Sequence, residues 1–160
     1  MQNRPEQASE EAHAGGTAYY TIEQVACRTG LTKRTLRYYE EVGLLPPTGR
    51  TEGNYRRYSD ADIRRLERIK ELRDLLSFSL NDIREILHAE EERNLLKQAN
   101  QQETDAEASI ARLERADELI LQQLELIEQK IAGLQQMRTS LLEKLKKHEQ
   151  KRNQLKNQML

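Results

Sequence analysis

Apolar residues fall in four short bursts over the first half of the chain and in one long stripe over the second. Each burst opens the same way, with an apolar residue, a hydroxyl residue, and a second apolar residue four positions after the hydroxyl. The four instances are Tyr20-Thr21 with Val25, Leu31-Thr32 with Leu36, Tyr58-Ser59 with Ile63, and Phe78-Ser79 with Ile83. A hydroxyl before an apolar-periodic run caps a helix, and the flanking apolar pair staples the entry of the chain. In the first instance Gln24 completes a capping box. The spacing therefore predicts four short helices, each cap contributing about 1 kcal/mol. The third is lined by Ile63, Leu66, Ile69, Leu72 and Leu76, the fourth by Leu80, Ile83, Ile86 and Leu87. Both are amphipathic and should pack behind the second.

From Ile110 the apolar period lengthens to a heptad. Its a positions are Ile110, Asp117, Leu124, Ile131, Arg138 and Leu145, and its d positions are Leu113, Ile120, Ile127, Leu134, Leu141 and His148. Nine of these twelve are aliphatic, so the stripe is a seam that must be buried against another helix. A helix over about 105–149 is roughly 65 Å long, too long to hide on the small domain before it. The expected partner is the same helix of a second copy, with Asp117 and Arg138 as charged exceptions that help set helix orientation. An internal helical hairpin is disfavoured, because Gly133 is the only turn residue in the stretch.

The first two helices are joined by Thr29-Gly30-Leu31, which gives helix, tight turn, helix. In that motif the second helix enters a DNA major groove. The second helix carries Lys33, Arg34 and Arg37, two threonines and two tyrosines, with little apolar surface of its own. Between the second and third helices, Pro46 and Pro47 stop the helix, and Gly49, Gly53 and Asn54 allow turns. Tyr55-Arg56-Arg57-Tyr58 alternates as a strand does. This reads as a β-hairpin wing with Arg50 at its tip and Arg56 and Arg57 on its return strand, placed to grip phosphates. The resulting division is a disordered tail over 1–18, a DNA-binding domain over 19–90, a hinge or frayed helix over 91–103, a dimerisation coiled coil over 104–150, and a frayed tail over 151–160.

Composition narrows the function classes. Basic and acidic residues nearly cancel at 26 and 27, yet Arg28 to Arg73 holds twelve Lys/Arg against seven Asp/Glu. The basic excess thus sits around the suspected reading helix. One cysteine, Cys27, excludes an intramolecular disulfide and is read as a small packing residue; His13, His88 and His148 are scattered, so no metal site is expected. No apolar run reaches membrane-spanning length, which points to a cytoplasmic protein, and the expected DNA-binding domain would make it nucleoid-associated. No nucleophile and base are signalled together, and no glycine-rich phosphate loop follows a strand, so an enzyme is rejected and no cofactor is expected.

Thr32 to Glu40 with Gly43-Leu44-Leu45, followed by the wing with Tyr55 to Tyr58, resembles the MerR family of bacterial transcriptional regulators. The run Ile127 to Arg138 is similar to that family's dimerisation helix. The resemblance implies a mainly α protein: a winged helix-turn-helix homodimer joined by an antiparallel coiled coil along Ile110, Leu113, Ile120, Leu124, Ile127, Ile131, Leu134, Leu141 and Leu145. It also implies binding to a pseudo-palindromic operator in double-stranded promoter DNA, with distortion of that DNA for RNA polymerase. By family position Thr32, Lys33, Arg34, Thr35 and Arg37 face bases and nearby phosphates. Tyr38, Tyr39, Arg50, Tyr55, Arg56 and Tyr58 brace the backbone, with one tyrosine of each pair an alternative candidate for the core. Two departures stand out: Asn54 occupies a position where the family commonly has Gly, and there are no cysteines near the end of the dimer helix, which argues against thiolate metal sensing. The sequence names no effector. A second reading of the same features is a DNA-anchoring protein whose coiled coil tethers DNA to a protein partner.

Overall fold

The computed structural model describes residues 18–159. The tail expected over 1–18 therefore lies outside the described residues except for Ala18. The chain divides into two compact units, one ending at Ile83 and one beginning at Arg84.

The first unit builds its helices on the expected caps. Thr21 opens α1 (Ile22–Thr29) with both bonds of the capping box, and Thr32 opens α2 (Lys33–Glu41) by accepting from the Thr35 backbone. Ser59 opens α3 (Asp60–Lys70), with Asp62 completing a box. Ser79 accepts from the Asp82 backbone at 3.2 Å and opens α4 (Leu80–Gln101). Gly30 ends α1 at φ +69°, the left-handed value that closes the tight turn into α2.

Three antiparallel strands accompany these helices: β1 (Tyr19–Tyr20), β2 (Gly49–Arg50) and β3 (Arg56–Ser59), in the order β1-β3-β2. Tyr19 faces Ser59 across one pair, and Gly49 faces Arg57 across the other. The wing is thus the expected hairpin plus a strand the sequence did not betray. Two residues carry too little alternation to register as a strand, and β1 exists because β3 offers it an edge.

The core of this unit is fully buried Val25, Leu36, Leu44, Ile63, Leu66 and Ile69, joined by Tyr39 and Tyr58. After α3 the chain winds into a π-helical turn over Glu71–Leu75. That wider turn shifts the spacing: Leu72 is buried, but Leu76, expected on the same apolar face, is 44% exposed.

In the second unit α4 is helical through Gln101, and the chain leaves the helix only over 102–105. The expected hinge over 91–103 is accordingly helix for most of its length. Its Glu, Arg, Lys and Gln are polar, but they and its Leu and Ala are good helix formers, and no Gly or Pro interrupts them. Asp105 then caps α5 (Ala106–Gln158), accepting from the Glu107 and Ala108 backbones. At 53 residues this helix is about 80 Å long. It continues through 151–158, where a frayed tail was expected, for the same reason of composition. Arg115 pairs with Glu92 at 2.7 Å and Gln123 donates to the Ile86 carbonyl at 3.1 Å, so this part of α4 runs alongside α5 in the opposite direction. Among the described residues, no helix is long and apolar enough to cross a membrane.

Candidate nucleic-acid interface

The second helix is held from below and open above. Leu36 and Tyr39 are its buried residues. Its C-terminal end is fixed by the Tyr39 carbonyl, which accepts from the backbones of Leu44 and Leu45, and by Gly43 at φ +73°. The opposite face is a polar surface. Thr32, Lys33, Arg34, Arg37 and Tyr38 are exposed, and Arg34, Thr35, Arg37, Tyr38 and Glu41 line an open depression of about 470 Å³. Arg34 and Arg37 make no ion pair among the described residues. Lys33 differs: its ammonium pairs with Glu23 of α1 at 2.6 Å, and this bond holds the Glu23 carboxyl below its ordinary pKa. Thr35 shares a hydroxyl hydrogen bond of 2.8 Å with Thr32.

Glu40 connects this helix to the wing. One carboxylate oxygen accepts from the Tyr58 hydroxyl at 2.9 Å, and the other accepts from Arg56 Nε at 3.0 Å. This strap is half-buried, so its hydrogen bonds are shielded from competing water. Burial first, and then the bond to Glu40, push the Tyr58 phenol well above its ordinary pKa. The same carboxylate raises the Arg56 guanidinium further. Glu40 was not singled out by sequence reasoning. The available signal was a carboxylate standing at the end of a basic helix run.

The wing tip is stiffened by local bonds. Arg50 Nη1 donates to Asn54 Oδ1 at 3.0 Å, and the Thr51 backbone N–H donates to the Tyr55 carbonyl while the Tyr55 N–H donates to the Thr51 hydroxyl. Asn54 adopts φ +63°, the left-handed conformation that Asn tolerates in place of Gly. Arg50 and Tyr55 are exposed, Tyr55 at 76%. Arg57 is half-buried with its guanidinium over the Tyr19 ring at 4.2 Å, and both its Nε and the Thr48 hydroxyl are buried with no hydrogen-bond partner among the described residues.

Of the twelve expected interface residues, ten lie at or near this surface and two do not. Tyr39 and Tyr58 are 2% and 0% exposed. They are core residues that cannot brace a DNA backbone, and their hydroxyls are already engaged by Arg73 and Glu40. Tyr38 and Tyr55 are the exposed members of the pairs. Cys27, expected to be a packing residue, is exposed on α1.

In the second unit, the expected seam residues are open in the single chain. Ile120 is 38% exposed and Leu145 62%, with Ile110, Leu113, Leu124, Ile127, Ile131, Leu134 and Leu141 between these values. Leu119, one position off the seam, is the residue that α5 buries.

Comparison with known proteins adds to this geometry. The family model described as "MerR HTH family regulatory protein" matches residues 20–90. The chain is similar to the HTH-type transcriptional regulator YfmP of Bacillus subtilis, at 38% identity over 120 residues, covering 75% of this chain and 86% of that one. It is similar also to the HTH-type transcriptional activator TipA of Streptomyces coelicolor, at 44% identity over 68 residues, covering 42% of this chain and 26% of the relative. Among solved structures, a MerR family transcriptional regulator from Bacillus thuringiensis is matched at 27% identity and a TM-score of 0.45, over 84% of this chain and 96% of that chain. The YfmP match is longer than the family model's span, so the likeness extends past the helix-turn-helix into the second half of the chain.

Proposed function

The chain belongs to the MerR family of helix-turn-helix regulatory proteins, and from that premise we propose that it binds a pseudo-palindromic promoter operator as a homodimer and distorts the DNA to control transcription. The carrying observation is the pairing of an exposed Arg34–Arg37–Tyr38 face on α2 with a wing bearing Arg50 and Arg57, strapped together through Glu40. A short helix with free guanidiniums can read base edges, while a basic wing beside it holds the flanking phosphates. The open seam on α5 supplies the second copy, and two reading helices on a twofold axis match a palindromic site. Distortion then enters as indirect readout, since gripping both flanks lets binding energy offset the work of bending the centre. The action is by binding and not by catalysis, at a promoter engaged by RNA polymerase, in the bacterial cytoplasm and on its nucleoid.

Genome-wide mapping of bound DNA followed by footprinting tests this reading. The expected result is protection of two half-sites between promoter elements, with hypersensitive bases at the centre. Many scattered sites with no common half-site would overturn it and favour a DNA tether.

A further inference from the structure

Arg93, Leu96, Lys97 and Asn100 stand on one face of α4 at the spacing of successive turns, and with Arg112 and Leu113 of α5 they line a cavity of about 240 Å³ within the second unit. Three of its lining residues are cations and none is a carboxylate. Arg112 is engaged by Glu103 at 2.8 Å. Arg93 and Lys97 make no ion pair among the described residues. The wall therefore carries two uncompensated positive charges, one of them on a half-buried residue.

Two polar atoms of that wall are also unanswered. Arg93 Nε and Asn100 Oδ1 are buried with no hydrogen-bond partner among the described residues. A donor and an acceptor shut away from water without partners cost free energy, which an arriving group that bonds them recovers. Their chemistry defines what that group must be. Two cations call for an anion, and a guanidinium matches a planar carboxylate. The Asn100 side-chain carbonyl accepts only, so it needs an O–H or N–H donor. Leu96 and Leu113 offer apolar surface for a short aliphatic chain, and a volume below the usual range for drug-sized ligands requires a small molecule.

We propose that this cavity between α4 and α5 binds a small hydroxycarboxylic acid with a short aliphatic chain, its carboxylate on Arg93 and Lys97 and its hydroxyl donating to Asn100. Small rotations of the two half-buried side chains turn Nε and Oδ1 onto the ligand. Leu113 also stands in the heptad stripe, so an occupant touches the surface expected to meet a second copy. That link to regulation rests on the dimer reading above, whereas binding itself does not.

A ligand-observed NMR titration of the full chain tests the site. The probe is 2-hydroxy-4-methylpentanoate; 4-methylpentanoate is the control without the donor, and 2-hydroxy-4-methylpentanamide the control without the charge. The hydroxy acid should saturate below about 1 mM, and both controls should bind about tenfold more weakly or worse. Arg93→Gln should reduce the affinity for the hydroxy acid about tenfold or more. Asn100→Ala should bring the hydroxy acid down to the level of 4-methylpentanoate and leave 4-methylpentanoate itself unchanged, a pattern that a disturbed fold does not produce. Circular dichroism verifies that both variants keep their helix content. No saturation by about 10 mM, or an affinity that ignores Arg93 or Asn100, overturns the proposal and, with no DNA in the sample, leaves promoter binding standing. Variants that weaken self-association in sedimentation but not probe binding assign the cavity to the contact between copies and overturn it as well.

Discussion

Tyr38 and Tyr39 are neighbours in sequence with opposite fates. Consecutive helix positions are about 100° apart, so one ring enters the core under α2 and the other stands at the polar face. Tyr55 and Tyr58 divide for a different reason: Tyr55 stands in the wing turn before β3 and is exposed, whereas Tyr58 lies within β3 and is its buried residue. The identity of the inner member in each pair was not legible, because both phases satisfy the local pattern until α3 supplies a core to face. Two expectations follow at this scale. Arg34→Ala or Arg37→Ala should weaken operator binding by about 1–3 kcal/mol and leave binding to random DNA less affected, as measured by competition titration. Equal losses on both DNAs would remove these residues from base reading. Tyr58→Phe removes the bond to Glu40 and should cost about 1 kcal/mol of unfolding free energy at neutral pH.

That phenol also sets an alkaline limit. Its pKa is raised in the folded state above the ordinary 10.0, so the fold binds its proton more tightly than the unfolded chain does. The resulting stability is present in full below pH 10 and is lost as pH rises from there through the folded value. The Tyr39 phenol, raised chiefly by burial, acts in the same direction. Thermal melts above about pH 10 should show a falling midpoint, and Tyr58→Phe should make the fall shallower. A midpoint that stays flat to about pH 11 would mean the two phenols ionise in place without disturbing the core.

At the level of elements, the four caps were legible because each is a local device: a hydroxyl and the backbone three residues on decide it. Ser59→Ala should lower stability by about 1 kcal/mol in denaturant titration, since it removes the bond to the Asp62 backbone and half of the box. Asn54→Gly should be tolerated or slightly stabilising at φ +63°, whereas Asn54→Val should strain the wing turn and weaken DNA binding. Binding by Asn54→Val equal to the parent's would show that the wing turn is free to rearrange. Less legible were the stretches at 91–103 and 151–158, where polarity was read as irregularity. Polarity reports exposure, and only Gly, Pro or a competing side-chain bond breaks a helix. The π turn at Glu71–Leu75 had no local signal at all. Leu72 is buried within it, and Leu76 is off the face that simple periodicity assigns.

For the whole molecule, charge placement carries more information than charge balance. A chain with nearly equal numbers of acidic and basic residues should nonetheless bind DNA with a steep salt dependence, because its basic excess is gathered on α2 and the wing. Arg50→Ala and Arg57→Ala should each reduce the slope of log affinity against log salt by about one, the share of a single neutralised phosphate. An exposed basic residue outside α2 and the wing, such as Lys97, should leave the slope unchanged when replaced by Ala. The long helix was visible as a heptad, but a single chain leaves that stripe in water, so its meaning depends on a second copy.

Cys27 adds a practical consequence. It is the one sulfhydryl in the sequence, and it is exposed. Any maleimide dye will therefore react at a single defined point per chain without engineering, on the helix that leads into α2, and can report arrival on DNA by fluorescence. The same accessibility means that air-oxidised preparations can form covalent pairs through this atom. Such species would survive dilution and mimic a tight assembly, so a reductant belongs in every buffer used to weigh the molecule.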